Sequence, residues 1–120
     1  MGERLVREAE EFKDQVFLKA EYNSEIVRSV RGYCAKGTCY IGKLIVHPGY
    51  QNRGMGTKLM REIESRFGDA DRYELFTGHE DHKNLHLYRK LGYSVFKETK
   101  VNDSLTMVFM EKRNESPSPA

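Results

Sequence analysis

The apolar positions along this chain change period several times, and each change marks an element. Residues 15–22 (QVFLKAEY) and 25–33 (EIVRSVRGY) read as two strands turning at Asn23 and Ser24, a hairpin. Residues 39–46 (CYIGKLIV) are apolar with almost no alternation, the pattern of a strand covered on both faces, and predict the centre of a sheet. From Gly56 to Phe67 the period becomes helical: Leu59, Met60, Ile63 and Phe67 form one stripe, while Lys58 with Glu62 and Glu62 with Arg66 can pair outside. Residues 72–77 (RYELFT) predict another strand. A second helix follows from Asp81 or His82 to Leu91, with Arg89 and Lys90 in its last turn and Gly92 as a left-handed cap. YSVFKE and LTMVFMEK then form an antiparallel pair across VNDS. Ahead of all this, Leu5, Val6, Ala9 and Phe12 stand at helical spacing among charges, which predicts a short amphipathic helix over residues 3–13.

The predicted order is helix, three strands, helix, strand, helix, two strands. A strand, helix, strand unit crosses over right-handed, so strands 39–46 and 72–77 should be parallel within an otherwise antiparallel sheet. The fold class is mixed α/β (α+β). Length sets one domain, expected over residues 1–112, and the polar, proline- and serine-bearing residues 113–120 read as a disordered tail.

Composition narrows the function classes. At 38% hydrophobic and 32% charged residues, no apolar stretch approaches the roughly 20 that a membrane span needs. The amino terminus, MGERLVREAEEFK, lacks the apolar core of a secretory signal, so a cytoplasmic location without membrane partners is expected. A formal net charge of +2 with no clustered basic face argues against a nucleic-acid partner. Cys34 and Cys39 flank a tight turn, AKGT, where they can face each other and stay reduced as small sheet residues.

The chemistry concentrates in residues 47–59, HPGYQNRGMGTKL, which leave the central strand and enter a helix. Unpaired N–H groups and the positive end of the helix dipole converge there, making an anion site that suits a diphosphate. Gly49 and Gly54 have Walker spacing, but Met55 stands where the lysine is required; Gly54 and Gly56 begin a dinucleotide fingerprint whose third glycine is Leu59. What remains is Q-x-x-G-x-G, Gln51 to Gly56, with LIVHPGY before it and NLHLYRKLGY some thirty residues later.

In these segments the chain resembles the GNAT superfamily of acyl-coenzyme A dependent N-acetyltransferases, from about residue 15 to Lys112. The resemblance implies a sheet whose central parallel pair is splayed for coenzyme A, and acetyl-coenzyme A as cosubstrate. It implies that the backbone of Gln51, Asn52, Arg53, Gly54, Met55, Gly56 and Thr57 binds the pyrophosphate, with Arg53 adding charge. It further implies that the pantetheine arm lies along the main chain of Leu44, Ile45 and Val46, and that Asn84 contacts the coenzyme with Tyr88 near its sulfur. Attack of an amine on a thioester expels a thiolate, and a phenol of ordinary pKa about 10 is protonated at neutral pH, so Tyr88 is the expected general acid.

Neutralising a lysine-like amine at pH 7 costs about 4.6 kcal/mol, so a base or a water path is expected. Many family members place a glutamate on the central strand, where this chain has Tyr40 and Lys43; Glu74, His79 and Glu80 are the alternatives, and the base is left unassigned. HEDH falls one residue short of H-E-x-x-H, and His82 with His86 has no evident third ligand, so no metal site is expected. Typical members also carry a strand and a helix pair ahead of the first hairpin. Their expected absence leaves either an open acceptor site for a peptide or small-molecule amine, or one completed by a second subunit; a missing edge strand would also favour a homodimer. The expected function is acetyl transfer from acetyl-coenzyme A to a primary amine. The alternative is a non-catalytic coenzyme A binding or interaction module, and a small nucleic-acid binder is a third.

Overall fold

The computed structural model describes residues 4–9, 15–22, 25–46 and 55–115. The strands are β1 (Arg4–Ala9), β2 (Gln15–Tyr22), β3 (Glu25–Ala35), β4 (Thr38–Val46), β5 (Arg72–Gly78), β6 (Ser94–Asn102) and β7 (Leu105–Arg113). The helices are α1 (Met55–Arg66) between β4 and β5, and α2 (His82–Lys90) between β5 and β6. All seven strands form one sheet in the order β1-β2-β3-β4-β5-β7-β6, antiparallel except for the expected parallel pair β4–β5.

Of the amino-terminal helix expected over residues 3–13, residues 4–9 are instead a strand, and the rest lie outside the described residues. β1 runs antiparallel to β2, with Leu5 opposite Ala20 and Ala9 opposite Val16. A helix this short is marginal alone, whereas an adjacent strand supplies partners for every second backbone group at once, so sheet pairing wins over a short helical spacing. This also corrects the expectation of a missing edge strand: the edge is present, and only residues 10–14 join β1 to β2, too few to hold a helix pair. At the other end β6 runs on through Val101 and Asn102, so the turn is Asp103–Ser104 rather than all of VNDS, closed by Asn102 Oδ1 accepting the Ser104 N–H at 2.8 Å. β7 reaches Arg113, one residue past the boundary expected at Lys112, and Asn114 Nδ2 donates to the carbonyls of Gly68 and Ala70. Residues 116–120 of the expected tail lie outside the described residues.

Alternation decides which way the sheet faces. Leu18, Val30, Cys39, Ile41, Leu75 and Met110 point to one side and are buried against the α1 stripe of Leu59, Met60, Ile63 and Phe67. Gly32 on that side lets α1 come close: a Cβ there would lie 3.1 Å from Ile63 Cγ1. α2 adds Leu85 and Tyr88 to the same core. Tyr73 of β5 bonds α1 through its hydroxyl, which donates toward the Glu64 and Phe67 carbonyls at 3.1 Å each. Both helices therefore cover one face, and β4, expected to be covered on both, turns Tyr40 and Gly42 to the other.

α2 ends as expected. Gly92 has φ +103°, and the N–H groups of Gly92 and Tyr93 donate to the carbonyls of Arg89 and Tyr88 at 3.0 and 2.9 Å, the paired bonds of a left-handed stop. Cys34 and Cys39 are opposite each other in the β3–β4 register, as the turn between them requires, and no disulfide joins them.

Candidate active site

β4 and β5 stay together only briefly. Their pairs are Thr38 with Arg72, Cys39 with Tyr73 and Tyr40 with Glu74, after which β4 continues to Val46 and β5 to Gly78 without a shared ladder. The cause is visible in the neighbouring ladder. Ser29 pairs with Ile45 and Arg31 with Gly42, so β4 carries one more residue than β3 over this stretch, a bulge just past the fork that bends the strand. β5 meanwhile stays with β7 down to Gly78 opposite Met107. Each arm of the fork is held from outside, and Ile45 and Val46 keep their β3 partners while no β5 pairing beyond Tyr40 is found for β4 among the described residues. Leu44, Ile45 and Val46 thus belong to the arm of β4 beyond its last pair with β5.

Among the described residues α1 opens at Met55, and no acidic residue stands in its first turn to quench the dipole. Gln51, Asn52, Arg53 and Gly54 of the phosphate motif lie outside the described residues. A Cβ on Gly56 would come within 3.3 Å of Leu87 Cδ2, so this glycine brings the start of α1 onto α2. The face of α2 met there is the one carrying Asn84 and Tyr88, four residues apart. Gly56 and Leu87 are therefore neighbours, although far apart in sequence.

Asp81 fixes the entry to α2. Its carboxylate caps the helix by accepting the Asn84 N–H at 3.2 Å, and it also accepts from Asn84 Nδ2 at 2.9 Å and Thr77 Oγ1 at 3.0 Å. Tyr88 is buried at 4% exposure, with its ring 6.0 Å from that of Tyr93. Burial, and next the Asp81 charge, push its phenol well above the ordinary value, so it is held in the protonated form. No hydrogen bond from Tyr88 Oη is found among the described residues.

The candidate bases separate by position. Glu74 sits at the fork opposite Tyr40, on the side away from the helices, and pairs with Arg72 at 2.9 Å. Arg72 also holds Glu111 at 2.9 Å and donates to Thr38 Oγ1 at 3.3 Å, locking the closed end of the fork. His79 is engaged elsewhere: its Nδ1 accepts the Thr106 N–H at 3.0 Å, tying the β5–α2 connection to β7. Glu80 is exposed. Among the described residues no group of three or more His, Cys, Asp or Glu side chains could hold a metal, and no helix is long and apolar enough to cross a membrane.

Sequence reading missed a second network that sets these parts rigidly. Glu64 of α1 accepts from Lys112 Nζ at 2.7 Å and from Tyr93 Oη at 2.7 Å, and Lys112 also donates to the Leu91 carbonyl at 3.1 Å. One carboxylate thus joins α1, β7 and the end of α2. No sequence pattern signals it, because its members are 29 and 48 residues apart.

Comparison with known proteins agrees with this geometry. Residues 13–95 match the family model described as an acetyltransferase (GNAT) domain. No curated protein sequence matches the chain. The fold is similar to a GNAT family acetyltransferase from Elizabethkingia anophelis with acetyl-CoA bound, at TM-score 0.75 and 15% identity over 92% of this chain and 97% of that one. It is also similar to the ribosomal-protein-S18-alanine N-acetyltransferase from Escherichia coli, at TM-score 0.74 and 16% identity over 92% and 74%. A third likeness is the PaiA N-acetyltransferase from Thermoplasma acidophilum in complex with coenzyme A, at TM-score 0.69 and 20% identity over 83% and 61%.

Proposed function

The chain belongs to the GNAT acetyltransferase family, and from that premise we propose that it transfers an acetyl group from acetyl-coenzyme A to a primary amine by direct attack. The observation that carries this reading is the fork itself, a parallel pair that separates after Tyr40 and Glu74 and leaves one edge of β4 without a strand partner. Acetyl-coenzyme A supplies an activated thioester; the relatives crystallised with acetyl-CoA or coenzyme A support it as the cosubstrate.

The chain's residues divide the work. Main-chain groups of Leu44, Ile45 and Val46 hold the extended arm, and the start of α1, Met55 to Thr57, binds the pyrophosphate, a role the sequence motif extends to Gln51, Asn52, Arg53 and Gly54. Asn84, anchored on Asp81, keeps the start of α2 in place. Tyr88 delivers its proton to the departing thiolate, since burial keeps its phenol protonated. The amine gives up its own proton to water or to a base, for which Glu74, opposite Tyr40 in the strand register, is a candidate.

The test is release of free coenzyme A thiol from acetyl-coenzyme A in the presence of small primary amines and lysine-bearing peptides. Amine-dependent release with a matching acetylated product supports the reading. Tight binding without turnover on any amine points to the non-catalytic module instead.

A further inference from the structure

The β3–β4 hairpin brings two thiols face to face. Its turn is two residues long, Lys36 at φ +51° and Gly37 at φ +81°, the left-handed pair that matches the twist of a tight hairpin. Ala35 and Thr38 close this turn as a hydrogen-bonded pair, so the next pair along the ladder, Cys34 with Cys39, falls at a non-hydrogen-bonded position. At such a position facing Cα atoms stand about 4.5 Å apart with both side chains on one face, inside the roughly 4.4–6.8 Å that a disulfide spans. Gly32, two residues before Cys34, faces Ile63 and Phe67 of α1, so the thiols lie on the helix-covered side.

The two sulfurs differ in access. Cys39 is 0% exposed and belongs to the core, whereas Cys34 is half-buried and packs against that core from its margin. Burial, and next the neighbouring Cys34, push the Cys39 thiol up, so it is held protonated. A small oxidant in solvent therefore meets Cys34 first, with Cys39 directly opposite.

We propose that this pair is an oxidation site for hydrogen peroxide, in which Cys34 is oxidised and Cys39 resolves it to a reversible disulfide within the hairpin. In the first step the Cys34 sulfur attacks one peroxide oxygen, the O–O bond breaks, and Cys34 becomes the sulfenic acid as water leaves. In the second the Cys39 sulfur attacks the Cys34 sulfur, the S–O bond breaks, and the departing hydroxide takes the Cys39 proton as a second water. Two thiols lose two electrons and two protons, and one peroxide is reduced to two waters. The leaving group itself accepts the Cys39 proton, so a thiol kept neutral by burial still serves. Cys39 is also the middle of the three β4 residues paired with β5, opposite Tyr73, so the bond ties β3 to β4 where the fork is closed. The proposal is independent of the acetyl-transfer reading, because its readout is the mass of two peptides.

The reduced full chain is exposed to about 0.1–1 mM hydrogen peroxide at about pH 7.5, treated with catalase, alkylated with iodoacetamide in denaturant and digested with trypsin without reductant. Cleavage after Arg31, Lys36 and Lys43 separates GYCAK (32–36) from GTCYIGK (37–43), and neither holds methionine, so their masses report the cysteines. The expected result is one linked species about 2 Da below the summed peptide masses, separated by dithiothreitol, from a chain that runs as a monomer in non-reducing electrophoresis. In Cys39→Ser, Cys34 should instead retain added oxygen, about 32 Da or more, and in Cys34→Ser, Cys39 should stay reduced and alkylated. Wild-type cysteines that remain alkylated throughout overturn the proposal, as do linkage between chains, a wild-type Cys34 carried on to the sulfinic acid, or oxidation of Cys39 in Cys34→Ser. If circular dichroism shows that Cys39→Ser is unfolded, Cys39→Ala takes its place, and the wild-type digest decides on its own whether the linkage forms.

Discussion

Tyr88 combines two properties that rarely coincide: its ring is buried, and its hydroxyl is not committed to a protein partner among the described residues. Removing only that oxygen, by Tyr88→Phe, should lower kcat by about 10² or more with the acetyl-coenzyme A dissociation constant unchanged, as steady-state kinetics and calorimetry would read. Because burial raises this pKa, the phenol stays a proton donor through its ordinary value of about 10, so wild-type activity should show no alkaline loss from Tyr88 up to that pH. A second residue-scale prediction concerns Glu64. Glu64→Ala strands the Lys112 ammonium and the Tyr93 hydroxyl, both largely shielded, and should cost about 2–4 kcal/mol in urea unfolding, with Glu64→Gln costing less because an acceptor remains. Spacing put Asn84 and Tyr88 on one helix face in the sequence, while their roles came only from the resemblance. Glu64 was not legible, because a contact between α1 and β7 leaves no local trace in sequence.

At the scale of elements, periodicity located most strands and both helices to within a residue or two, because each is long enough for its apolar side to repeat several times. It failed for β1, where Leu5, Val6 and Ala9 were read at helical spacing and the deciding factor was a neighbour, β2, that only the folded chain supplies. The fork was half legible. Parallel pairing followed from the right-handed crossover, but the extra residue of β4 between Gly42 and Ile45 that opens it is a property of register, not of composition. The close seat of α1 on β3 gives an element-scale prediction. Gly32→Val would drive a side chain into Ile63 and Phe67, which already stand 3.1 and 3.2 Å from an added Cβ, and should destabilise by about 1–3 kcal/mol by shifting α1 from the sheet. Gly32→Ala should cost less, and chemical denaturation of the two variants orders them.

Across the whole molecule, the core is rich in phenols that folding keeps neutral. Burial first, then nearby Glu64, pushes Tyr73 up to about 12, and burial likewise raises Tyr88 and Tyr93. A raised pKa in the folded state means that this stabilisation is complete below the unfolded value near 10 and is lost as pH climbs through the folded value. Thermal unfolding should therefore show these groups contributing nothing to the pH dependence near neutrality, and a steep fall in Tm between about pH 10 and 12 that Tyr73→Phe reduces. The one-sided layering of helices is also a whole-molecule property. The outward alternation of Tyr33, Tyr40 and Phe76 was present in the sequence, but its meaning depended on knowing that no helix covers that face among the described residues.

The central claim is that the separated β4–β5 pair and the start of α1 form a site for acetyl-coenzyme A. Calorimetric titration of acetyl-coenzyme A into the purified chain, with ATP and NAD titrated separately, addresses it most directly. Saturable binding of one acetyl-coenzyme A per chain, displaced by coenzyme A and absent with ATP or NAD, is the predicted result. No heat with acetyl-coenzyme A, or equal binding of ATP, would contradict it.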